Sequence, residues 1–190
     1  MATTEPIRSK ADVKRLAGYY KEKGELRNYT LVVMGVHTAL RISDLLRLKW
    51  EDVYDFAKKE VKRTITLTEK KTGKTKMIAL HKSITRALRL YALNAAQKGV
   101  YIFENSHTHK PISRVQAYRL IRAAAEKTEI GRISCHSLRK TFGYHALKKG
   151  IPLAVIMDIY NHTSLAVTRR YLGITQDDKN RAYLQFPTLV

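Results

Sequence analysis

The chain has 190 residues, which is enough for one domain with its own core. Apolar residues make up 44% and charged residues 27%, values typical of a globular protein, so a disordered chain or a membrane protein is a poor fit. The charge is unusual, because 36 Lys and Arg against 16 Asp and Glu leave a net +20. Such a basic domain attracts polyanions, which favours nucleic acid as partner, although composition alone would also suit an RNA-binding or membrane-surface protein.

The same composition indicates a location. One cysteine, Cys135, excludes an internal disulfide, and the first residues lack the apolar segment of a signal peptide. The longest apolar stretch, residues 31–36, is far too short to cross a membrane. We therefore expect a cytoplasmic protein without a membrane segment.

The first third of the chain predicts helices around one arginine. A helix is predicted over residues 10–22, and a second over residues 28–39 has apolar side chains on nearly all sides, so it should run through the core. Arg41 follows directly. Ser43 is a suitable cap for a short helix over residues 44–48, which would place Arg41 in a tight turn between a buried helix and a short one.

A Thr-rich segment then predicts strands. Apolar and polar side chains alternate over residues 61–68, a second strand is expected over residues 75–80, and Gly73 supplies the turn of an antiparallel hairpin. A third strand is expected over residues 52–56. The tip of the hairpin carries four lysines that are candidates for DNA contacts or for catalysis: Lys70, Lys71, Lys74 and Lys76.

The rest of the chain predicts helices over residues 83–96, 113–127, 137–149, 152–160 and 164–172. The expected fold class is α+β: a mainly helical single domain with a small antiparallel three-stranded sheet. The tail after Leu172 has balanced charge, unlike the basic remainder, and we expect it to contact protein rather than DNA.

Two late segments combine a histidine with a second reactive group. His136 and Arg139 are three residues apart, so on a helix they share a face and could meet on one phosphate. His162 begins a segment that ends at Tyr171, and Asn161 before it suits a left-handed turn.

Cleavage of a phosphodiester by a hydroxyl group requires a nucleophile, cations on the non-bridging oxygens and a proton for the leaving oxygen. Arg41 and Arg139 can fork onto phosphate oxygens, and His162 can donate a further hydrogen bond. His136 can help to transfer the proton of Tyr171, and a lysine of the hairpin can act as the general acid.

These motifs resemble the tyrosine recombinase, or phage integrase, family over residues 11–172. The resemblance is carried by Thr38-Ala-Leu-Arg41-Ile-Ser-Asp44, Lys71-Thr-Gly, His136-Ser-Leu-Arg139, and Asn161-His162 through Arg170-Tyr171. By motif, it implies the catalytic set Arg41, Lys71, His136, Arg139, His162 and Tyr171. The other lysines of the hairpin, Lys70, Lys74 and Lys76, are expected to bind DNA.

The resemblance also implies a mechanism. Tyr171 attacks a DNA phosphate, a 3′-phosphotyrosine bond forms and a 5′-hydroxyl leaves. The family needs no cofactor and no catalytic metal, and this sequence has no Walker motif. The implied partner is double-stranded DNA, on which family members form tetramers, whereas the isolated domain could be a monomer in solution.

The implied organisation is a catalytic domain over residues 1–172 and a tail over residues 173–190. The tail could dock on a neighbouring protomer through its apolar residues Ile174, Tyr183, Leu184 and Phe186. The family's N-terminal DNA-clamping domain is missing from this sequence, which predicts weak DNA binding.

The sequence departs from the family at two places. Asn161 stands where glycine is usual in a Leu-Gly-His motif, and asparagine tolerates the same left-handed conformation. Asp44 stands where glutamate is common, three residues after Arg41, so the support of that arginine could differ.

Several alternatives remain open at this point. Lys74 rivals Lys71 as the acid. Cys135 beside His136 is a poor metal pair. Four further histidines are expected to pack or to lie on the surface: His37, His107, His109 and His145. Other functions are a non-catalytic DNA-binding protein of the same fold, an RNA-binding module, and a type IB topoisomerase, in which a lysine commonly replaces the histidine at the position of His136.

Overall fold

The structure is a computed structural model that describes residues 4–94, 99–174, 176, 180, 183–185 and 187. The helices of these residues are α1 (Lys10–Glu22), α2 (Leu26–His37), α3 (Ile42–Leu45), α4 (Trp50–Val53), α5 (Lys82–Asn94), α6 (Arg114–Lys127), α7 (Cys135–Lys148), α8 (Leu153–Tyr160) and α9 (Leu165–Leu172). The strands are β1 (Tyr54–Asp55), β2 (Glu60–Val61), β3 (Thr64–Thr68) and β4 (Thr75–Ala79). The mainly helical α+β fold predicted from the sequence is confirmed.

The strands differ from the prediction in one respect. Instead of one three-stranded sheet, the described residues form two antiparallel pairs, β1 with β2 and β3 with β4. The segment of alternating apolar and polar residues over 61–68 is divided by a bend at Arg63. Val61, before the bend, belongs to β2 and pairs with β1, whereas residues 64–68 form β3 and pair with β4. The predicted hairpin is present, with Gly73 at φ +66° in its turn.

Helix α2 is the centre of the fold, as its apolar surface predicts. It packs against α1, α5 and α7, and every residue from Thr30 to Val36 is buried. Burial of a side chain such as Leu31 or Met34 stabilises the fold by about 1.5–3 kcal/mol. Gly35 permits the close approach of α7, because a Cβ there would lie 2.7 Å from Leu138 Cδ1.

Serine caps explain where several helices begin. Ser9 accepts a hydrogen bond from Asp12 N, Ser113 from Gln116 N and Ser164 from Val167 N. These three helices begin within one residue of the predicted positions.

Three other helices begin two residues before the predicted position. Helix α2 begins at Leu26, and the other two changes concern site residues. Helix α3 begins at Ile42, so Arg41 rather than Ser43 is its N-cap residue. Helix α7 begins at Cys135 after the cap Ser134, because the Ser134 side chain accepts from His136 N. His136 and Arg139 therefore project from the beginning of one helix.

A small cluster at the end of the domain supports the site. Its buried members are Ala39, Ala146, Ile156, Tyr160 and Leu172. Through Ala39, which lies two residues before Arg41, the cluster packs against α7, α8 and α9. The segments that carry the candidate site residues are therefore held together by one hydrophobic cluster.

Most of the tail after Ile174 falls outside the described residues, and so does Phe186. Of its other apolar residues, Tyr183 and Leu184 are exposed in this chain. Protomer docking through the tail stays a prediction. None of the helices in the described ranges has the length and apolar character that a membrane span requires.

Candidate active site

The start of α7 provides a histidine and an arginine on one face. Arg139 is only 4% exposed, and its Nη2 donates a 3.1 Å hydrogen bond to the backbone oxygen of Tyr160. Its guanidinium carbon also lies 4.8 Å from the centroid of the Tyr160 ring. The Nη1 atom is buried and has no hydrogen-bond partner among the described residues, so one nitrogen of Arg139 can still bind a phosphate oxygen.

The turn between α8 and α9 orients His162. Asn161 adopts the predicted left-handed conformation, with φ +53° and ψ +42°. The imidazole then stacks on Tyr160, with 5.1 Å between the ring centroids, and its Nδ1 lies 3.1 Å from Thr168 Oγ1. Because Nδ1 is engaged in this way, Nε2 is the nitrogen that His162 can offer to a ligand.

Tyr171, near the end of α9, is enclosed by aromatic rings. The centroid of its ring lies 5.7 Å from that of His136, and 5.1 Å from each of those of Tyr160 and His162. Its hydroxyl is buried and has no hydrogen-bond partner in the described part of the chain. The sequence-predicted nucleophile therefore lies between the two sequence-predicted histidines.

The protonation state of Tyr171 follows from burial and nearby charges. Burial raises the pKa of its hydroxyl above the ordinary value of 10.0, although the positive charges of Arg139 and Arg41 act in the opposite direction. Of these two arginines, Arg139 has the larger effect on the phenol, and it acts mainly through its charge. The hydroxyl is thus protonated at neutral pH and needs a base before it can attack.

Both histidines of the site are held neutral in the DNA-free protein. Burial lowers the pKa of His136 below its ordinary value, and the charges of Arg139, Lys140 and Arg41 lower it further. Burial and the same two arginines also lower the pKa of His162. A neutral imidazole can accept the proton of Tyr171, and a bound phosphate would offset the positive charges that keep these rings neutral.

Arg41 reaches the same site from the N-cap position of α3. Its Nη1 lies 2.9 Å from Oε2 of Glu69, an ion pair whose alignment is too poor for a hydrogen bond. Glu69, at the end of β3, is fully buried. Burial by itself would raise the pKa of Glu69, but hydrogen bonds from Thr72 and Asn161 and the charges of Lys76 and Arg41 outweigh it and lower that pKa to about 2.

The four hairpin lysines are placed differently. Lys70, Lys71 and Lys74 are exposed at the tip, whereas the side chain of Lys76 on β4 is only 13% exposed. Lys76 Nζ lies 3.5 Å from Glu69 Oε1 and donates a hydrogen bond to the backbone oxygen of Ile159.

Lys76 is therefore the hairpin lysine that the structure brings to the site, and Lys71, which the motif indicates, lies outside it. Burial lowers the pKa of Lys76, and the charges of Arg139 and Arg41 lower it further, although Glu69 opposes the shift. A lysine with a lowered pKa gives up its proton more readily near neutral pH.

The sequence interpretation missed several residues of the site. Glu69 and Tyr160 were not expected to take part, and Lys140, which is almost fully buried, has its Nζ 5.2 Å from the centre of the Tyr171 ring. The available signal for Glu69 was an isolated acid directly before a run of lysines. Nothing in the local sequence indicated that Lys140 is buried.

The remaining candidate residues lie elsewhere. His37 stacks on His81, His145 bonds to the backbone oxygen of Ile7, and His107 and His109 occupy an exposed loop. Burial raises the pKa of Cys135 to about 11, so this thiol is unreactive. Among the residues that the structure describes, no group of three or more His, Cys, Asp or Glu side chains is arranged to hold a metal ion.

Comparison with known proteins gives consistent results. Among sequence relatives, a probable integrase/recombinase of Bacillus subtilis, YoeC, is 37% identical over 186 residues, which cover 98% of both chains. Tyrosine recombinase XerA of Pyrococcus furiosus is 27% identical over 80% of this chain and 52% of its own length. The chain thus spans about half the length of that Xer recombinase.

Solved structures show the same fold. The crystal structure of XerA recombinase has a TM-score of 0.77 and 25% identity, and the match covers 98% of this chain and 67% of that one. XerH site-specific recombinase in a post-cleavage complex with its difH substrate has a TM-score of 0.73 over 96% of this chain and 52% of that one, at 18% identity. The model of the phage integrase family matches residues 8–178. The chain therefore belongs to the phage integrase family and has the fold of a tyrosine recombinase catalytic domain.

Proposed function

We propose that this chain is a site-specific DNA recombinase that cleaves and rejoins DNA through a 3′-phosphotyrosine intermediate. The observation that carries the proposal is the position of Tyr171, whose ring contacts those of His136 and His162 and whose hydroxyl lies within the influence of the Arg139 charge. A nucleophile, a base and a cation for a phosphate oxygen thus meet in one place.

In the cleavage step, the oxygen of Tyr171 attacks the scissile phosphorus. The proton of the hydroxyl passes to His136, and the new bond joins the tyrosine to the 3′ phosphate while the bond to the 5′ oxygen breaks. Arg41, Arg139 and His162 bind the non-bridging oxygens and stabilise the charge that develops there. The residues reach these positions from the beginnings of α3, α7 and α9.

The leaving 5′ oxygen needs a proton, which we assign to a lysine of the β3–β4 hairpin. The sequence motif favours Lys71, but the geometry of the DNA-free protein favours Lys76, which already lies in the site. Lys70 and Lys74 at the exposed tip are proposed to bind the DNA backbone.

The phosphotyrosine retains the energy of the phosphodiester bond, so a 5′-hydroxyl from a partner strand can reverse the step. No nucleotide cofactor enters this scheme, and each proton that leaves Tyr171 is matched by one that the 5′ oxygen gains. Strand exchange results when the attacking 5′-hydroxyl belongs to a different duplex.

The proposed partner is double-stranded DNA in the cytoplasm, with assembly into a tetramer on the DNA and a monomer in solution. The net charge of +20 supports DNA as the ligand. Structural neighbours include XerH bound to a difH substrate and the Tn1549 transposon integrase in complex with a circular intermediate DNA. Residues 1–172 form the proposed catalytic unit, and the tail over residues 173–190 is the proposed contact to a neighbouring protomer.

The test is the formation of a covalent complex. The protein is incubated, in the presence of EDTA, with nicked DNA or with 5′-bridging phosphorothiolate DNA that carries candidate sites, and the products are separated in SDS. Wild type should give an SDS-resistant adduct, Tyr171→Phe should give none, and Tyr118→Phe, at an exposed tyrosine on α6, should behave like wild type. Salt-sensitive DNA binding without any adduct would contradict the proposal and would favour a non-catalytic DNA-binding protein.

A further inference from the structure

The carboxylate of Glu69 connects three separate segments of the site. Its Oε2 accepts a 2.7 Å hydrogen bond from Asn161 Nδ2 and a 2.8 Å bond from Thr72 Oγ1, and it forms the 2.9 Å ion pair with Arg41. Its Oε1 lies 3.5 Å from Lys76 Nζ. The side chain is fully buried, so these partners rather than water satisfy its charge.

We infer that Glu69 is a positioning residue of the recombination site. Its carboxylate holds Arg41 and Lys76 in fixed positions relative to the turn that carries His162. The inference rests on the proposed function, because it assigns Glu69 to the same reaction. Glu69 does not touch the reacting atoms in this scheme and acts through its partners.

The partners come from different parts of the chain, so Glu69 fixes elements relative to each other. Arg41 begins α3, Lys76 lies on β4, and Asn161 ends α8. Removal of the carboxylate would release all three at once. Because shifts of about 1 Å in a catalytic group can reduce a rate about 100-fold, such a release should affect the chemistry directly.

Asp44 explains why Glu69 takes this position. Its Oδ1 accepts a 2.9 Å hydrogen bond from the backbone N–H of Lys70, the residue after Glu69. Asp44 therefore holds the end of β3, and the neighbouring Glu69 then meets Arg41. Asp44, three positions after Arg41, therefore supports that arginine indirectly: it fixes the backbone at Lys70, and this places the side chain of Glu69 against Arg41.

Asn161 extends the connection to the histidine. The left-handed turn would accept glycine equally well, but glycine has no amide with which to reach Glu69. His162 follows immediately, and its backbone N–H is tied to the carbonyl of Met157 at 3.1 Å. The hydrogen bond from the Asn161 side chain to Glu69 thus connects the turn that carries His162 to the β3–β4 hairpin.

Stability alone is a weak reason for a buried charge at this place. A buried ion pair costs desolvation that its attraction often only balances, so apolar side chains would stabilise the fold as well. The arrangement is explained if Glu69 orients the cations that bind the phosphate and keeps Lys76 protonated until the 5′ oxygen leaves.

The test uses the full chain with Glu69→Gln, which keeps the shape but removes the charge, and Asn161→Gly, which suits the turn but removes the amide. Glu104→Gln is the matched control, because the Glu104 carboxylate is also largely buried but pairs with His109 in a loop outside the site. Cleavage of nicked DNA is measured in single turnover over a range of DNA concentrations, which separates the maximal rate from the half-saturating concentration, and Tm reports folding.

Glu69→Gln should lower the maximal rate at least about tenfold, and Asn161→Gly should lower it by a smaller factor, with little change in half-saturation. The double variant should lose little more than Glu69→Gln alone, because both changes break one link. Glu104→Gln should keep the wild-type maximal rate.

Unchanged or faster cleavage by both variants would overturn the inference, since it would mean that Glu69 is only structural or competes with the phosphate for Arg41. A rate loss that merely follows Tm, as large in Glu104→Gln as in Glu69→Gln, would overturn it too. If wild type itself forms no adduct, the proposed function fails, and the role of Glu69 fails with it. An active wild type with an equally active Glu69→Gln defeats the positioning role alone.

Discussion

Arg139 and Tyr160 bind each other in both directions. Arg139 Nη2 donates to the backbone oxygen of Tyr160 at 3.1 Å, and the Tyr160 hydroxyl donates to the backbone oxygen of Arg139 at 2.7 Å. The same hydroxyl accepts a 2.8 Å bond from the N–H of Gly143. Tyr160 thus stacks on His162 and also fixes Arg139, the arginine that we propose binds the phosphate, to the end of α8.

Tyr160→Phe tests this connection. The change keeps the ring beneath His162 but leaves the buried N–H of Gly143 without its acceptor, so the free energy of unfolding should fall by about 1–2 kcal/mol. Urea unfolding measures the loss, and Tyr118→Phe on the exposed face of α6 should change nothing. An equally stable Tyr160→Phe would mean that the hydroxyl contributes no net stability.

Gly143→Ala should disturb the same region by crowding. A Cβ at this position would overlap Leu172 and the Tyr160 hydroxyl, so we expect a loss of about 1–3 kcal/mol in unfolding free energy. Gly131→Ala is the matched control, because no atom lies within 4 Å of the Cβ that it would add. If the two variants unfold at the same urea concentration, α7 and α9 have more room than the structure indicates.

The features that the sequence predicted well are determined locally. The helix that begins after Ser9 and the left-handed turn at Asn161 depend on side chains within a few residues, and both are where the sequence placed them. The family motifs also indicated that Arg41, His136 and Tyr171 lie close together, and the structure brings these residues together.

The features that the sequence did not predict depend on distant contacts. Glu69 meets Asn161 across 92 positions of the chain, and the burial of Lys76 depends on the end of α8. The alternation of β4 places Lys76 on the same face as the partly buried Ile78, but only the packing of this face against α8 brings the lysine into the site. Likewise, the sheet is divided at Arg63 because the residues before it pair with β1 and the residues after it pair with β4.

Stability should fall as the pH is lowered through the range in which unfolded histidines gain protons. Burial lowers the pKa of four histidines below the ordinary value of 6.5, and these are His37, His136, His145 and His162. Below pH 6.5 the unfolded chain binds protons that the folded chain resists, so protonation favours unfolding.

Tm of the DNA-free protein should therefore be lower at pH 5.5 than at pH 7.5, and His37→Gln should make the difference smaller. This pH range lies above 4.5, the ordinary pKa of a glutamate, and the pKa of Glu69 in the folded chain is lowered to about 2. Glu69 therefore does not contribute to the change in stability over this range. A Tm independent of pH over this range would show that the four rings gain protons as easily in the folded chain as in the unfolded one.

The exposed lysines of the hairpin should contribute to DNA affinity through charge. Lys70→Ala combined with Lys74→Ala should weaken binding and reduce the slope of log K against log salt by up to about 2, since each phosphate contact contributes about 0.9. Lys14→Ala with Lys127→Ala removes the same charge from exposed helix positions outside the hairpin and should leave the slope nearly unchanged. Equal slopes for the two double variants would indicate that the hairpin tip does not contact the DNA backbone.

The identity of the lysine acid can be decided with a modified leaving group. Lys76→Ala should lower cleavage of ordinary DNA by about 100-fold, because the 5′ oxygen then leaves without a proton. A 5′-bridging sulfur leaves without protonation, so the same variant should cleave phosphorothiolate DNA at close to the wild-type rate. Lys71→Ala, compared on both substrates, should show a small loss that sulfur does not restore. The reverse pattern, a large loss in Lys71→Ala that sulfur restores, would mean that the hairpin moves on DNA and exchanges Lys76 for Lys71.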